Sequence, residues 1–420
     1  MRVLLVYGDL IPSVEVCQLR SLRCLAAQNR IELKHGPIYA LPADEVLTWC
    51  DVVIFCRCCL SHELSFLLKA QALRIPYLYD LDDNFFRLAD TALPGTGRFR
   101  WAGTMKALRA FVAGAAFVKV GSPQLQEDVA AYNPRCVVHP LPFDFSILRG
   151  AERRPRQDQR VYLGYAGNRV HAVDLEIVAG AVRRILTAYG DRVFFTFYGP
   201  QIEGFAGFPN VRFVPYLNNY QAFLRDFYGE GWDIALAPLH DTLWNRSKTN
   251  IKYIEYAACG IAGVYSDMPL YNTCVRHGVN GMLCADTEDA WYNALTALIE
   301  DPALLDRVRE SALQDVKANY SVDAAAERLW EELIVPAHAN GEPVAREERR
   351  RCLSRGILER SRRRAQILCG GQDPLKLLFA WTIAQNRRCI QWAKRLVKRA
   401  LYGYAQQKKK TRRKAKEGAQ

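Results

Sequence analysis

Short β-branched runs alternate with amphipathic stretches over the first 340 residues, the pattern of a parallel sheet covered by helices. In the first half the predicted strands are Val3–Tyr7, Val52–Cys56, Tyr77–Asp80, Ala116–Val120 and Cys136–His139. Between them, Val14–Ala27 and Glu63–Leu73 carry helical periodicity. A proline-broken, polar stretch around 140–156 interrupts the pattern and marks a linker.

A second alternating series then starts afresh, with strands at Val161–Tyr165, Val193–Tyr198, Val211–Val214, Asp233–Ala237 and Ile261–Tyr265. Helices are predicted at Val173–Tyr189, Tyr220–Tyr228, Ser247–Cys259, Thr287–Glu300 and Pro302–Asn319. The expected fold is α/β, with two Rossmann-like domains facing across a cleft. The expected divisions are an N-terminal domain over 1–145, a linker over 146–160, a second domain over 161–340 and a tail over 341–420. Ligands of such sheets bind outside the carboxyl ends of the strands, which here means the cleft.

The tail changes the picture of the charge. Residues 341–420 hold 23 Lys plus Arg against 6 Asp plus Glu, so the net +13 of the 420-residue chain leaves −4 for residues 1–340. Leu375–Tyr404 places Cys389, Ile390, Ala393, Leu396 and Val397 on one helical face and Arg387, Arg388, Lys394, Arg395 and Lys398 on the other. With Trp381, Trp392, Tyr402 and Tyr404, this reads as a basic amphipathic helix lying on an anionic membrane surface. Lys408–Lys416 could grip phosphates, but no base-reading module accompanies it, so nucleic acid is not an expected partner. The 13 cysteines show no paired zinc spacing, and free thiols fit a reducing cytoplasm. No apolar segment is long enough to span a bilayer. The expected location is therefore cytoplasmic, peripheral on the inner face of the membrane.

Candidate chemistry concentrates in three places. The first is the stretch from Asp233 to Gly260, a buried strand running into a polar loop and a helix start. Lys248, Lys252 and Glu255, spaced i, i+4, i+7, are expected on one helical face. A helix N-terminus with added lysines suits a diphosphate, and a carboxylate one turn further in suits the hydroxyls of a ribose. The second is Val161–Asp174, where Gly164 and Gly167 would let backbone approach a phosphate, followed by Asn168, Arg169 and His171. The third is Tyr77–Asp83, whose carboxylates Asp80, Asp82 and Asp83 are expected to point towards the cleft.

The first stretch resembles the donor-binding signature of retaining GT-B glycosyltransferases, in particular bacterial enzymes of cell-surface polysaccharide assembly. Asn245, Lys248, Lys252, Glu255, Tyr256 and Gly260 match an N-x-x-K-x-x-x-K-x-x-E-Y-x-x-x-G pattern, and Tyr271 with Val275–Leu283 resembles a Gly-x-Asn-Gly segment further on. The resemblance implies that Asn245, Lys252, Glu255 and Tyr256 bind the donor together with Gly164, Gly167, Asn168 and His171. It also implies catalytic roles for Lys248 and Arg169 in offsetting the charge of the leaving diphosphate, and an acceptor-side role for Asp82 and Asp83. The family's usual first glutamate is replaced by Ser247.

The expected activity is transfer of a hexose-type sugar from a nucleotide sugar to a saccharide or lipid-linked acceptor. No cofactor is expected to be required; a divalent cation at the aspartates is the lesser alternative, and no metal site is assigned. A sugar-nucleotide epimerase or hydrolase on the same fold, or a catalytically degenerate membrane-associated binding protein, are the rival readings.

Overall fold

The structure, a computed structural model, describes residues 1–88, 91, 96–155, 158–167, 173–200, 202–341 and 347–349. It contains two six-stranded sheets in which every pairing is parallel. The first is built from β1 (Arg2–Tyr7), β2 (Glu32–Pro37), β3 (Val52–Cys56), β4 (Tyr77–Leu81), β5 (Phe117–Val120) and β6 (Cys136–Val138), in the order β2-β1-β3-β4-β5-β6. The second uses β7 (Val161–Ala166), β8 (Val193–Tyr198), β9 (Val211–Val214), β10 (Ile234–Ala237), β11 (Ala262–Ser266) and β12 (Met282–Cys284), in the order β12-β11-β10-β7-β8-β9. The strand order reverses between β1 and β3 in the first sheet and between β7 and β10 in the second. Those two points are where a doubly wound sheet opens a crevice at its carboxyl edge.

The expected α/β architecture with two Rossmann-like units is therefore present. Strands β1, β3 and β4 are buried almost throughout because helices cover both faces, which explains their unbroken apolar runs. Register fixes what reaches the edge. Tyr7 pairs with Cys56, Cys56 with Asp80, and Leu81 with Val120, so Gly8, Arg57, Asp82 and Gly121 emerge side by side. In the second sheet Ala166 pairs with Tyr198 and Ala237 with Tyr265, which brings out Gly167, Gly199 and Pro238 together.

Several elements differ from expectation. Of the predicted helix Ser247–Cys259 the part Ile251–Ala258 is helical, and a turn separates it from a short helix that precedes the predicted range, Leu243–Arg246. Lys248 stands in that turn, so it does not share a helical face with Lys252 and Glu255. The helical run Val322–Arg328, Leu329–Ile334 and Val335–Ala339 follows the second sheet in sequence but packs on the first. Its Ala326, Leu329, Leu333, Ile334 and Ala337 join Val3, Leu5, Leu22 and Ile54 in one core. The two chain crossings between the units lie together, the Phe143 amide donating to the Tyr320 carbonyl at 2.6 Å. No described helix is long and apolar enough to cross a membrane. No disulfide joins the described cysteines. Of the tail, only Gly341 and residues 347–349 are described; there Arg349 is buried and donates to the Cys50 carbonyl at 2.6 Å. The amphipathic segment Leu375–Tyr404 and Lys408–Lys416 lie outside the described residues.

Candidate functional site

At the second switch point, β7 is followed by Gly167, whose amide donates to the Tyr198 carbonyl at 3.0 Å. A Cβ on Gly199, at φ 104°, would collide with the Gly167 carbonyl oxygen, so the two turns are in direct backbone contact. Gly164 has a different task. It lies inside β7, and a Cβ there would meet the Trp232 indole at 2.5 Å, so this glycine makes room for core packing rather than for phosphate. Asn168, Arg169 and His171 lie outside the described residues.

Beyond β10, the turn at 247–250 faces both units. Burial pulls the Lys248 ammonium below the usual lysine range, while Asp174 of the second unit and Asp83 of the first hold it up in part. Neither carboxylate is bonded to it, and Lys248 makes no ion pair among the described residues. It is a half-buried cation in the turn that precedes the helix Ile251–Ala258, whose N-terminus favours an anion. Asp174 is fixed by accepting from the His240 amide at 3.1 Å.

The remaining residues of the signature divide into two groups. Glu255, 3% exposed, accepts from Lys252 Nζ at 3.0 Å, and its charge, after burial, raises the Tyr220 phenol above the usual range. Lys252 itself lies over the rings of Phe223 and Tyr256. Asn245 and Tyr256, by contrast, serve the scaffold: Asn245 Nδ2 donates to the His240 carbonyl at 2.9 Å, and the fully buried Tyr256 donates to the Leu236 carbonyl at 2.9 Å. Asn280 of the Gly-x-Asn-Gly segment likewise closes its own loop, accepting from the Arg276 amide and donating to the Tyr253 phenol.

The first unit contributes its own edge. Of the three carboxylates expected in the cleft, Asp80 does not reach it; it is buried against Lys119 Nζ at 2.8 Å and Cys56 Sγ at 3.2 Å. Asp82 and Asp83 do emerge, and Arg57 holds both, Asp83 at 3.0 Å. Burial, with Asp82 adding to it, raises the Asp83 carboxyl above the usual range; Arg57 and Lys248 oppose this. Among the described residues no group of three His, Cys, Asp or Glu could hold a metal ion.

The turn at 247–250 also forms the seam between the units. Asn84 Nδ2 donates to Ser247 Oγ at 2.9 Å, and Ser247 donates in turn to the Leu243 carbonyl at 2.8 Å. A Cβ on Gly121 would run into the Thr249 methyl, and Trp244 packs on the core of the first unit. Arg20, which reads from sequence as a solvated helix residue, is 7% exposed and lies over the Tyr220 ring at 5.6 Å. That contact joins the helix after β1 to the Glu255 pocket, and nothing in the local sequence signals it.

Glu63 is a second residue the sequence leaves unmarked. Its Oε2 accepts from the Cys59 and Leu60 amides, both at 2.7 Å. Burial raises its carboxyl from 4.5 to about 7, although these two amides and Arg98 work against the rise. Asp9 adds to the increase, and Cys58, Cys59 and Tyr79 also face the group. A raised folded-state pKa makes its contribution to stability full below the unfolded value of 4.5 and progressively lost as pH rises through 7. Urea unfolding at pH 4.5 and pH 8 should show a loss of roughly 3 kcal/mol from this group. Glu63→Gln should remove that share of the pH dependence; an unchanged difference between the two pH values would contradict the assignment.

Residues 160–301 match the family model described as Glycosyl transferases group 1. No curated protein matches the sequence. Among solved structures, the chain is similar to Anabaena Alr3699/HepE in complex with UDP and glucose, at 13% identity and TM-score 0.54, over 79% of this chain and 99% of that one. It is also similar to a glycosyltransferase from Rickettsia africae, at 12% identity and TM-score 0.55, over 79% and 97% of the two chains. A Listeria monocytogenes protein provisionally named a UDP-N-acetylglucosamine 2-epimerase gives 11% identity and TM-score 0.50, over 82% and 98%. At these identities the likeness establishes the two-unit GT-B fold. Because that fold hosts both a transferase and a protein named as an epimerase, the reaction has to be argued from the site.

Proposed function

We propose, on the premise that residues 160–301 carry a group 1 glycosyltransferase domain, that this chain transfers a sugar from a nucleotide sugar to a hydroxylated acceptor. The observation that carries the reading is Lys248. A half-buried ammonium with no bonded counter-ion among the described residues, in the turn before the start of Ile251–Ala258, suits a group whose negative charge grows as a bond to it breaks. The diphosphate of the donor is that group. Glu255 then holds the ribose hydroxyls, and Lys252 orients its carboxylate. Tyr216, 43% exposed and near both Gly199 and Glu255, offers a ring against which the base stacks. Arg169 joins Lys248 on the leaving diphosphate.

On the opposite side, Asp82 and Asp83 orient the acceptor, their position set by Arg57. Departure of the diphosphate supplies the driving charge separation, so no covalent intermediate on the protein is needed. We take the reaction as retaining, by front-face attack aided by the departing phosphate, as the sequence resemblance implies. Ser247 does not replace the missing glutamate as a sugar ligand, because Asn84 and the Leu243 carbonyl already engage its hydroxyl. A saccharide or lipid-linked acceptor of surface polysaccharide assembly fits the basic, aromatic tail. Deleting residues 350–420 should release the protein from anionic liposomes; retained flotation would exclude that role.

The activity is tested with the full chain and UDP-, GDP- and ADP-sugars, monitoring thermal stabilisation and release of nucleoside diphosphate. One nucleotide class should stabilise the fold, and diphosphate release should rise when acceptor saccharides are added. Conversion of donor to an isomeric sugar nucleotide without acceptor would instead establish epimerisation. No stabilisation by any nucleotide would favour a binding role for the chain.

A further inference from the structure

The first sheet has its own crevice at the switch point between β1 and β3. A cavity of about 130 Å³ opens there, lined by Gly8, Asp9, Arg57, Glu63, Phe85 and Arg98 among others. Its floor is Glu63, 3% exposed, whose Oε2 is used by the Cys59 and Leu60 amides. The other oxygen, Oε1, has no hydrogen bond among the described residues, and lies 3.5 Å from where a Cβ on Gly8 would stand. The absent side chain at Gly8 therefore keeps the space above this oxygen clear.

The lining selects its occupant. Two carboxyl groups, Asp9 and Glu63, disfavour a small anion, and the guanidinium groups of Arg57 and Arg98 disfavour a cation. A wholly apolar group would strand the Glu63 carboxyl without a partner. Ile11, Val14, Leu60 and Phe85 supply apolar wall beside these polar groups. A ring with apolar faces and hydroxyls at its edge satisfies both. The volume is below the roughly 300–1,000 Å³ of sites for drug-sized ligands, which leaves room for one ring and not for a nucleotide.

We infer that this cavity receives a single monosaccharide ring of the acceptor, with Glu63 Oε1 accepting hydrogen bonds from its hydroxyls. The inference rests on the transfer reading above. The path from the cavity to the donor is short: Arg57 lines the cavity and binds Asp82 and Asp83, and Asp83 acts on the Lys248 ammonium. A ring seated on Glu63 thus stands next to the residues that orient the acceptor and face the departing diphosphate. Glu63 is a specificity-determining residue in this arrangement, and Arg98 at the mouth reaches hydroxyls further out.

The test uses the full chain with methyl α- and β-pyranosides of glucose, galactose, mannose and N-acetylglucosamine at millimolar concentration. Saturation-transfer NMR reads glycoside binding, and calorimetry with the nucleoside diphosphate reads the donor site separately. At least one glycoside should bind, and Glu63→Gln and Gly8→Val should each weaken it tenfold or more. Both variants should leave nucleotide affinity within twofold. The Gly8 variant fills the cavity without removing a polar group, and carries the test should Glu63→Gln fail to fold. Nucleotide binding with no glycoside binding, or glycoside affinity unaltered by Gly8→Val, would overturn the inference. Glycoside binding that depends on Glu63, without any nucleotide binding, would support the cavity and refute the donor reading instead.

Discussion

Lys248→Ala is expected to lower sugar transfer by about 10²- to 10³-fold, the scale at which removal of one preorganised charge-stabilising group acts. The loss should fall on kcat more than on KM, because the ammonium meets its strongest partner only as the diphosphate takes up charge. Folding should be little affected. Lys248 has no ion pair among the described residues, and burial already disfavours its charge, so its removal leaves no bonded partner stranded. Steady-state kinetics with the matching donor, alongside a thermal melt, checks both halves. Near-normal turnover would remove Lys248 from the diphosphate site.

The second large effect concerns stability. Lys119 and Asp80 form an ion pair at 2.8 Å with side chains 4% and 2% exposed, and Lys119 also donates to the Cys17 carbonyl at 3.0 Å. Lys119→Ala leaves the Asp80 carboxylate buried without its cation, which should cost about 3–5 kcal/mol. The double variant Lys119→Met, Asp80→Leu should be less destabilised than this single one, since it removes both charges together. Urea denaturation at pH 7 measures each value. The pair also anchors the end of β4, immediately before Asp82 and Asp83, so the single variant should lose transfer activity at temperatures where it remains folded.

What the sequence reveals follows from how local each determinant is. The buried parallel strands are legible because helices on both faces demand apolar residues at nearly every position. The edge strand β2, Glu-Leu-Lys-His-Gly-Pro, has no such demand and carries no readable pattern. Met282–Cys284 is too short to stand out. The break between Arg246 and Ile251 is set by tertiary contact: Trp244 docks on the first unit, Ser247 meets Asn84, and Thr249 presses on Gly121. Helical spacing alone therefore puts Lys248 on a helix, whereas it stands in the turn before one.

The candidate site divides in the same way. Lys248, Lys252 and Glu255 stand out as candidates because charges in an otherwise apolar strand–turn–helix are conspicuous. Asn245, Tyr256 and Gly164 lie in the same motifs, but their side chains or spaces are used by the His240 carbonyl, the Leu236 carbonyl and Trp232. Arg20 and Glu63 read as ordinary helix residues. Their burial comes from Tyr220 of the other unit in one case, and from the turn at Cys59 and Leu60 in the other, and neither contact is local to a periodic pattern.

The most direct measurement is a crystal structure of the full chain with the nucleoside diphosphate that stabilises it most. The diphosphate should lie between the Gly167 turn and Lys248, with the ribose hydroxyls on Glu255 and the base beside Tyr216. Density for the nucleotide elsewhere, away from Lys248 and Glu255, would contradict the assignment of the donor site.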